Sequence, residues 1–186
     1  MRRVALLGLV PLVACALGTE ALGGKAANQV GCAQRAETSP PTAFDDPRFK
    51  GRRFRVVVGP VELRGVRTYA SHRIFVGLGK RDGYYSAKVA LVVQARRSLE
   101  LTVRGTDPRP VRLGYGAGEP GETLLVKSCA ASTPARSRPG IVGSGTVFTG
   151  TFEVPVAECV RLRITNRATK RVWRTRLAFG RRCAGA

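Results

Sequence analysis

Few residues in this chain of 186 could carry catalysis. His72 is the only histidine, and it directly follows Ser71. Side chains adjacent in sequence do not generally face each other, so a Ser–His pair lacking a third, orienting group is no triad. His72 reads as a surface residue. Carboxylates close enough for acid–base work are Asp45 with Asp46 and Glu119 with Glu122. The first two lie in a segment without periodicity and the others in a turn, so both pairs read as solvated loop charges. GYGAGEPG (Gly114 to Gly121) is glycine-rich but opens no helix, and the chain has no Walker loop, HExxH or nucleophile elbow. We therefore assign no catalytic, cofactor-binding or metal-binding residue and expect a non-enzymatic protein. A hydrolase with an unrecognised site is the weaker alternative.

The cysteines offer a different chemistry. There are five: Cys15, Cys32, Cys129, Cys159 and Cys183. The last four are separated by 97, 30 and 24 residues, with no C-x2-C pair and one histidine in the whole chain, which disfavours zinc. An even set of four instead predicts two disulfides made in an oxidising compartment. Three connectivities are open. We expect Cys129 with Cys159, flanking a strand and its long preceding loop, and Cys32 with Cys183.

Cys15 belongs to the N-terminus. Arg2 and Arg3 precede an uncharged run from Val4 to Ala14, the n- and h-regions of a secretory signal. Eleven residues, with Gly8 and Pro11 among them, are too few to span a bilayer, which takes about 20. A signal peptidase cut between Ala16 and Gly24 would remove Cys15. Alternatively, Leu12-Val13-Ala14-Cys15 resembles a bacterial lipobox. That resemblance implies a signal over residues 1–14, a lipid on Cys15 and anchorage at the outer face of the plasma membrane. Lipidation is the reading we prefer, and secretion follows if Cys15 leaves with the signal.

Charge is the strongest bulk property. The chain holds 26 Arg, 6 Lys and 12 acidic residues, and without residues 1–14 it retains 30 basic residues, a net charge of +18. Such a field attracts anionic partners. In an exported protein these are anionic lipid headgroups or an anionic wall polymer, and we expect no nucleic acid. A high-GC codon bias also explains arginine over lysine, and explains the excess over acids less well.

The elements that position these residues are strands. Residues 15–50 are rich in Ala, Gly, Thr, Ser and Pro, and read as a tether. From Gly51, β-branched or alternating runs recur between Gly, Pro, Asp and Asn. FRVVVGPVEL breaks at Gly59-Pro60, SAKVALVVQA is nearly continuous apolar, and SLELTVR and VRLGY alternate. TLLVKSC and VFTGTFEV follow, separated by a long loop from Ala130 to Gly145. CVRLRIT puts Val160, Leu162 and Ile164 opposite Arg161 and Arg163; VWRTRLAF puts Trp173, Thr175, Leu177 and Phe179 opposite Arg174 and Arg176. A turn over residues 166–171 joins them into a hairpin whose outer face carries Arg161, Arg163, Arg174 and Arg176, a candidate anionic-ligand surface. Trp173 points to the core and leaves that surface no stacking platform. No window keeps a helical apolar stripe. The pattern predicts an all-β domain over residues 51–186, a single antiparallel β-sandwich of Ig-like architecture with about seven to nine strands.

VRLGYGAGEPGETLLVKSCA, GTVFTGTFEVPVAECVRLRI and the closing LAFGRRC together are similar to the C-terminal part of exported proteins, lipoproteins among them, of high-GC actinobacteria. The matching positions are Cys129, Gly150 to Phe152, Cys159 and Phe179 to Cys183. The resemblance covers roughly the last 100 residues. It implies a secreted β-sandwich and brings no activity or site residue. A cell-envelope binding or structural module is the function expected, with a secreted inhibitor or protein-partner domain acting through the 130–145 loop as the alternative.

Overall fold

The computed structural model describes residues 28–39, 54–134 and 143–184. Cys15, the signal, the tether outside residues 28–39, and residues 135–142 of the long loop lie outside the described residues. Within them the chain forms fourteen strands and one short α-helix. The strands are β1 (Asn28–Val30), β2 (Glu37–Ser39), β3 (Arg55–Val58), β4 (Val61–Arg64), β5 (Lys80–Arg81), β6 (Tyr84–Lys88) and β7 (Ala90–Gln94). After them come β8 (Ser98–Arg104), β9 (Arg112–Tyr115), β10 (Thr123–Lys127), β11 (Gly145–Phe148), β12 (Gly150–Val154), β13 (Glu158–Asn166) and β14 (Val172–Phe179). Helix α1 (His72–Val76) follows a 3-10 turn over Val66–Ala70.

The fold is an all-β sandwich. One layer is the sheet β1-β10-β8-β13-β14. The other is built from β2-β11-β7-β4-β3 and β5-β6-β12-β9, two sheets that run into each other because β6 is followed after one residue by β7, and β11 by β12. One core fills the space between the layers. Leu99, Leu101 and Val103 of β8 and Val160, Leu162 and Ile164 of β13 meet Leu63, Leu91, Phe148 and Phe152, all buried. Period-2 alternation is what allows this: β13 is buried at every second position and its arginines alternate outward.

Expected strands form where alternation or apolar runs mark them, but the total exceeds nine. The Gly59-Pro60 break is a tight hairpin between β3 and β4, with Gly59 at φ +56°, a left-handed conformation that glycine adopts without strain. The glycine serves packing as well, since a Cβ at this position would run into the Trp173 ring. Trp173 is half-buried against the core, on the side of β14 away from the arginines, as the alternation predicts.

Two expectations are corrected. Residues 28–39, assigned to a tether, contribute β1 and β2, which add to the two layers at β10 and β11. The cysteines pair as Cys32–Cys129 and Cys159–Cys183, not Cys129–Cys159 and Cys32–Cys183. Both corrections have one origin. β1 runs parallel to β10 with Val30 beside Val126, so continuing both strands brings Cys32 next to Cys129, Cα to Cα 4.8 Å. At the other end Cys159 lies opposite Ala178 in the β13–β14 hairpin. The chain then turns at Gly180 (φ +67°) and brings Cys183 back to Cys159, Cα to Cα 5.6 Å. Both separations suit a disulfide.

Candidate functional site

The β13–β14 hairpin is built as its sequence suggests. Asn166 closes the turn, its Oδ1 accepting from the backbone N–H of Ala168 (2.9 Å) and Thr169 (3.1 Å). This fixes the register, which sets Arg161 directly opposite Arg176 and Arg163 directly opposite Arg174. On the other flank of β13, Arg161 also faces Arg104 of β8, and Arg163 faces Thr102. Arg104, Arg161 and Arg176 therefore form a row across three adjacent strands, with neighbouring Cα atoms about 5 Å apart. Arg163 and Arg174 form a second row about 7 Å further along the strands.

All five arginines are exposed, on an open concavity of about 1180 Å³ that Arg67 of the 3-10 turn also lines. Among the described residues that line it, Glu100 is the only carboxylate. Four other arginines among the described residues meet carboxylates. Arg55 and Arg64, themselves opposite each other, both reach the fully buried Glu62, at 2.8 and 2.7 Å. Arg112 pairs with Glu153 at 2.7 Å and Arg109 with Asp107 at 3.1 Å. The hydrogen bond from Arg109 holds the Asp107 carboxyl below the usual range. Among the described residues, no carboxylate lies within ion-pair distance of Arg67, Arg104, Arg161, Arg163, Arg174 or Arg176; Arg176 donates to the Ala184 carbonyl at 3.0 Å. Like charges directly opposite in a sheet are unfavourable, so this face concentrates uncompensated positive charge in one concavity.

A buried carboxylate secures the arrangement from beneath. Glu158, at the start of β13, is fully buried, and its Oε2 accepts from the Thr106 backbone N–H and from Thr106 Oγ1. That contact clamps the end of β8 to the start of β13, holding Arg104 beside Arg161. Gly105 is needed there, because a Cβ would collide with the Glu158 carboxylate.

The sequence-predicted quartet Arg161, Arg163, Arg174 and Arg176 is thus brought onto one face. Sequence reasoning missed Arg104 and Arg67. Arg104 had a signal, as the last wet position of the alternating SLELTVR, but its neighbour in the sheet is set by a pairing between residues 57 apart. Of the residues weighed for catalysis, His72 is exposed and its Nδ1 donates to the Gly180 carbonyl at 3.0 Å in the tautomer that carries its proton there. Glu119 and Glu122 are exposed in the β9–β10 turn. Asp45 and Asp46 lie outside the described residues. The geometry defines a disulfide-bonded β-sandwich with an arginine-lined face. No family model, curated protein or solved structure matches the chain.

Proposed function

We propose that this protein is an exported, non-enzymatic module of the cell envelope whose arginine-lined sheet face binds a phosphate-bearing polyanion. One observation carries the reading: Arg104, Arg161 and Arg176 in one row and Arg163 and Arg174 in the next, exposed and without carboxylate partners among the described residues. Guanidinium groups present planar pairs of donors that match phosphate oxygens, and two rows of them suit a chain of phosphates better than a single anion. The two disulfides support export to an oxidising compartment.

Location rests on the N-terminus. Asn28, where β1 begins, lies thirteen positions after Cys15. A lipid on Cys15 would hold the domain within about 45 Å of the membrane, the reach of that length of extended chain. Mass spectrometry of the protein from its native membrane tests this directly. A diacylglyceryl Cys15 is expected, and a mature chain beginning after Cys15 would refute the anchor.

Soluble inorganic polyphosphate tests the binding face. Affinity should fall steeply with salt, and Arg161→Ala, Arg163→Ala, Arg174→Ala and Arg176→Ala should each lower the slope of log K against log salt by about one. Absence of binding at low salt, or binding indifferent to all four substitutions, would overturn the proposal.

A further inference from the structure

Four large apolar side chains are exposed among the described residues, and three of them fall within five positions: Ile74 (46%), Val76 (38%) and Leu78 (38%). They are not the edge of a loosely packed region. Phe75, between them, is fully buried, its ring 4.5 Å from that of Tyr85 and 6.1 Å from that of Phe179. Gly180 leaves the space that ring occupies, since a Cβ there would strike it. Phe75 therefore pins α1 and the following turn to the core, and its neighbours are held outward on a fixed support.

The segment that carries this tip holds charges of one sign. Between Glu62 and Asp82 the chain has no acidic residue and five basic ones, Arg64, Arg67, Arg73, Lys80 and Arg81. Arg73, Lys80 and Arg81, closest to the apolar side chains in sequence, are exposed. Lys80 lies 5.0 Å from the Tyr85 ring centroid, beside the aromatic pair that pins Phe75. Apolar side chains rimmed by cations fit the boundary of an anionic bilayer, where the former enter the acyl region and the latter meet headgroup phosphates.

We infer that Ile74, Val76 and Leu78 form a membrane-docking tip that inserts into the interface of an anionic lipid bilayer, with Arg73, Lys80 and Arg81 on the headgroups. The three side chains are partly covered already, so their insertion is shallow and reversible. It orients the domain on a surface and does not replace an anchor.

The test uses the folded, oxidised protein with phosphatidylglycerol and phosphatidylcholine vesicles. Wild type should bind the anionic vesicles and retain part of that binding at high salt, where purely coulombic attachment is screened. The combined variant Ile74→Ser, Val76→Ser, Leu78→Ser should bind at least about tenfold more weakly and lose the salt-resistant part. Val76→Trp gives a readout independent of that variant's folding: its added fluorescence should shift to the blue on anionic vesicles and be quenched by brominated acyl chains. Undiminished binding by the serine variant, or an emission indifferent to vesicles, would overturn the inference. So would a wild-type dimer that the serine variant converts to monomer while vesicles are ignored, since the tip would then face a second copy. Polyphosphate binding through Arg161 and Arg176 is read without lipid, so the two proposals fail separately.

Discussion

Arg161 stands directly opposite Arg176 across the β13–β14 hairpin, with no carboxylate between them among the described residues. Arg55 and Arg64 share the same opposed geometry at the β3–β4 hairpin, and there Glu62 forms an ion pair with both. The chain thus meets the same electrostatic problem at both hairpins and, among the described residues, leaves it open on the outer face of the first layer.

Relieving that repulsion should stabilise the fold while removing its ligand. Arg176→Thr or Arg176→Glu is expected to raise the melting temperature by about 1 to 4 °C at low salt, the scale of one cross-strand charge pair in a domain of this size. Wild type should itself gain stability as salt is added and the variants much less. Thermal unfolding across a salt series measures both effects, and a lower melting temperature for Arg176→Glu would count against an unbridged pair.

Glu62 should behave in the opposite way. It is fully buried while its two partners are only partly covered. Removing it takes from Arg55 and Arg64 the buried carboxylate they share, so Glu62→Ala should cost about 3 kcal/mol, the scale of breaking a buried ion pair. Denaturant unfolding at neutral pH checks this, and a cost under about 1 kcal/mol would show that the arginines find other partners.

The disulfides should contribute unequally. In the chain-entropy model, closing the 97-residue span of Cys32–Cys129 is worth about 4 to 5 kcal/mol and the 24-residue span of Cys159–Cys183 about 3 to 4 kcal/mol. Paired Cys→Ser variants, compared by denaturant midpoint, should rank in that order. Non-reducing peptide mapping should recover a peptide with Cys32 joined to one with Cys129.

Tyr115 gives an alkaline signature. Its ring is buried, its hydroxyl donates to the Val89 carbonyl at 2.8 Å, and burial pushes the phenol well above its ordinary range. Because the folded value is raised, the unfolded chain releases this proton first. The stability Tyr115 contributes is therefore whole below about pH 10 and is lost progressively above it. Tyr115→Phe should cost about 1 kcal/mol at neutral pH and flatten the alkaline decline. The phenolate absorbance of wild type minus that of Tyr115→Phe should rise only as the protein unfolds.

How much of this was legible in the sequence depended on whether a signal was local. Alternation in CVRLRIT and VWRTRLAF placed four arginines on one face, and the Asn166 turn joined the two strands, because both facts concern residues close in the chain. Strands β1 and β2 are three residues each, NQV and ETS, too short for a period to show. Their identity comes from non-local pairing with β10 and β11, and with them went the disulfide connectivity. Arg104 joined the site for the same reason, through a strand pairing that its own neighbours do not announce. In RIFVGLG no alternation with polar residues marks a buried side, and only the packing of Phe75 reveals that the residues on either side of it face outward.

The parallel pairing of β1 with β10 has a mechanical consequence. A pull on the chain ahead of Asn28 would load the Asn28–Leu124, Gln29–Leu125 and Val30–Val126 pairs along the strand direction, so their hydrogen bonds would have to shear together rather than unzip one by one. Two residues further on, the load would reach the covalent link from Cys32 to Cys129 and be passed into the base of β10. A domain built this way would withstand tension at its N-terminal end, the load passing from β10 into its neighbour β8.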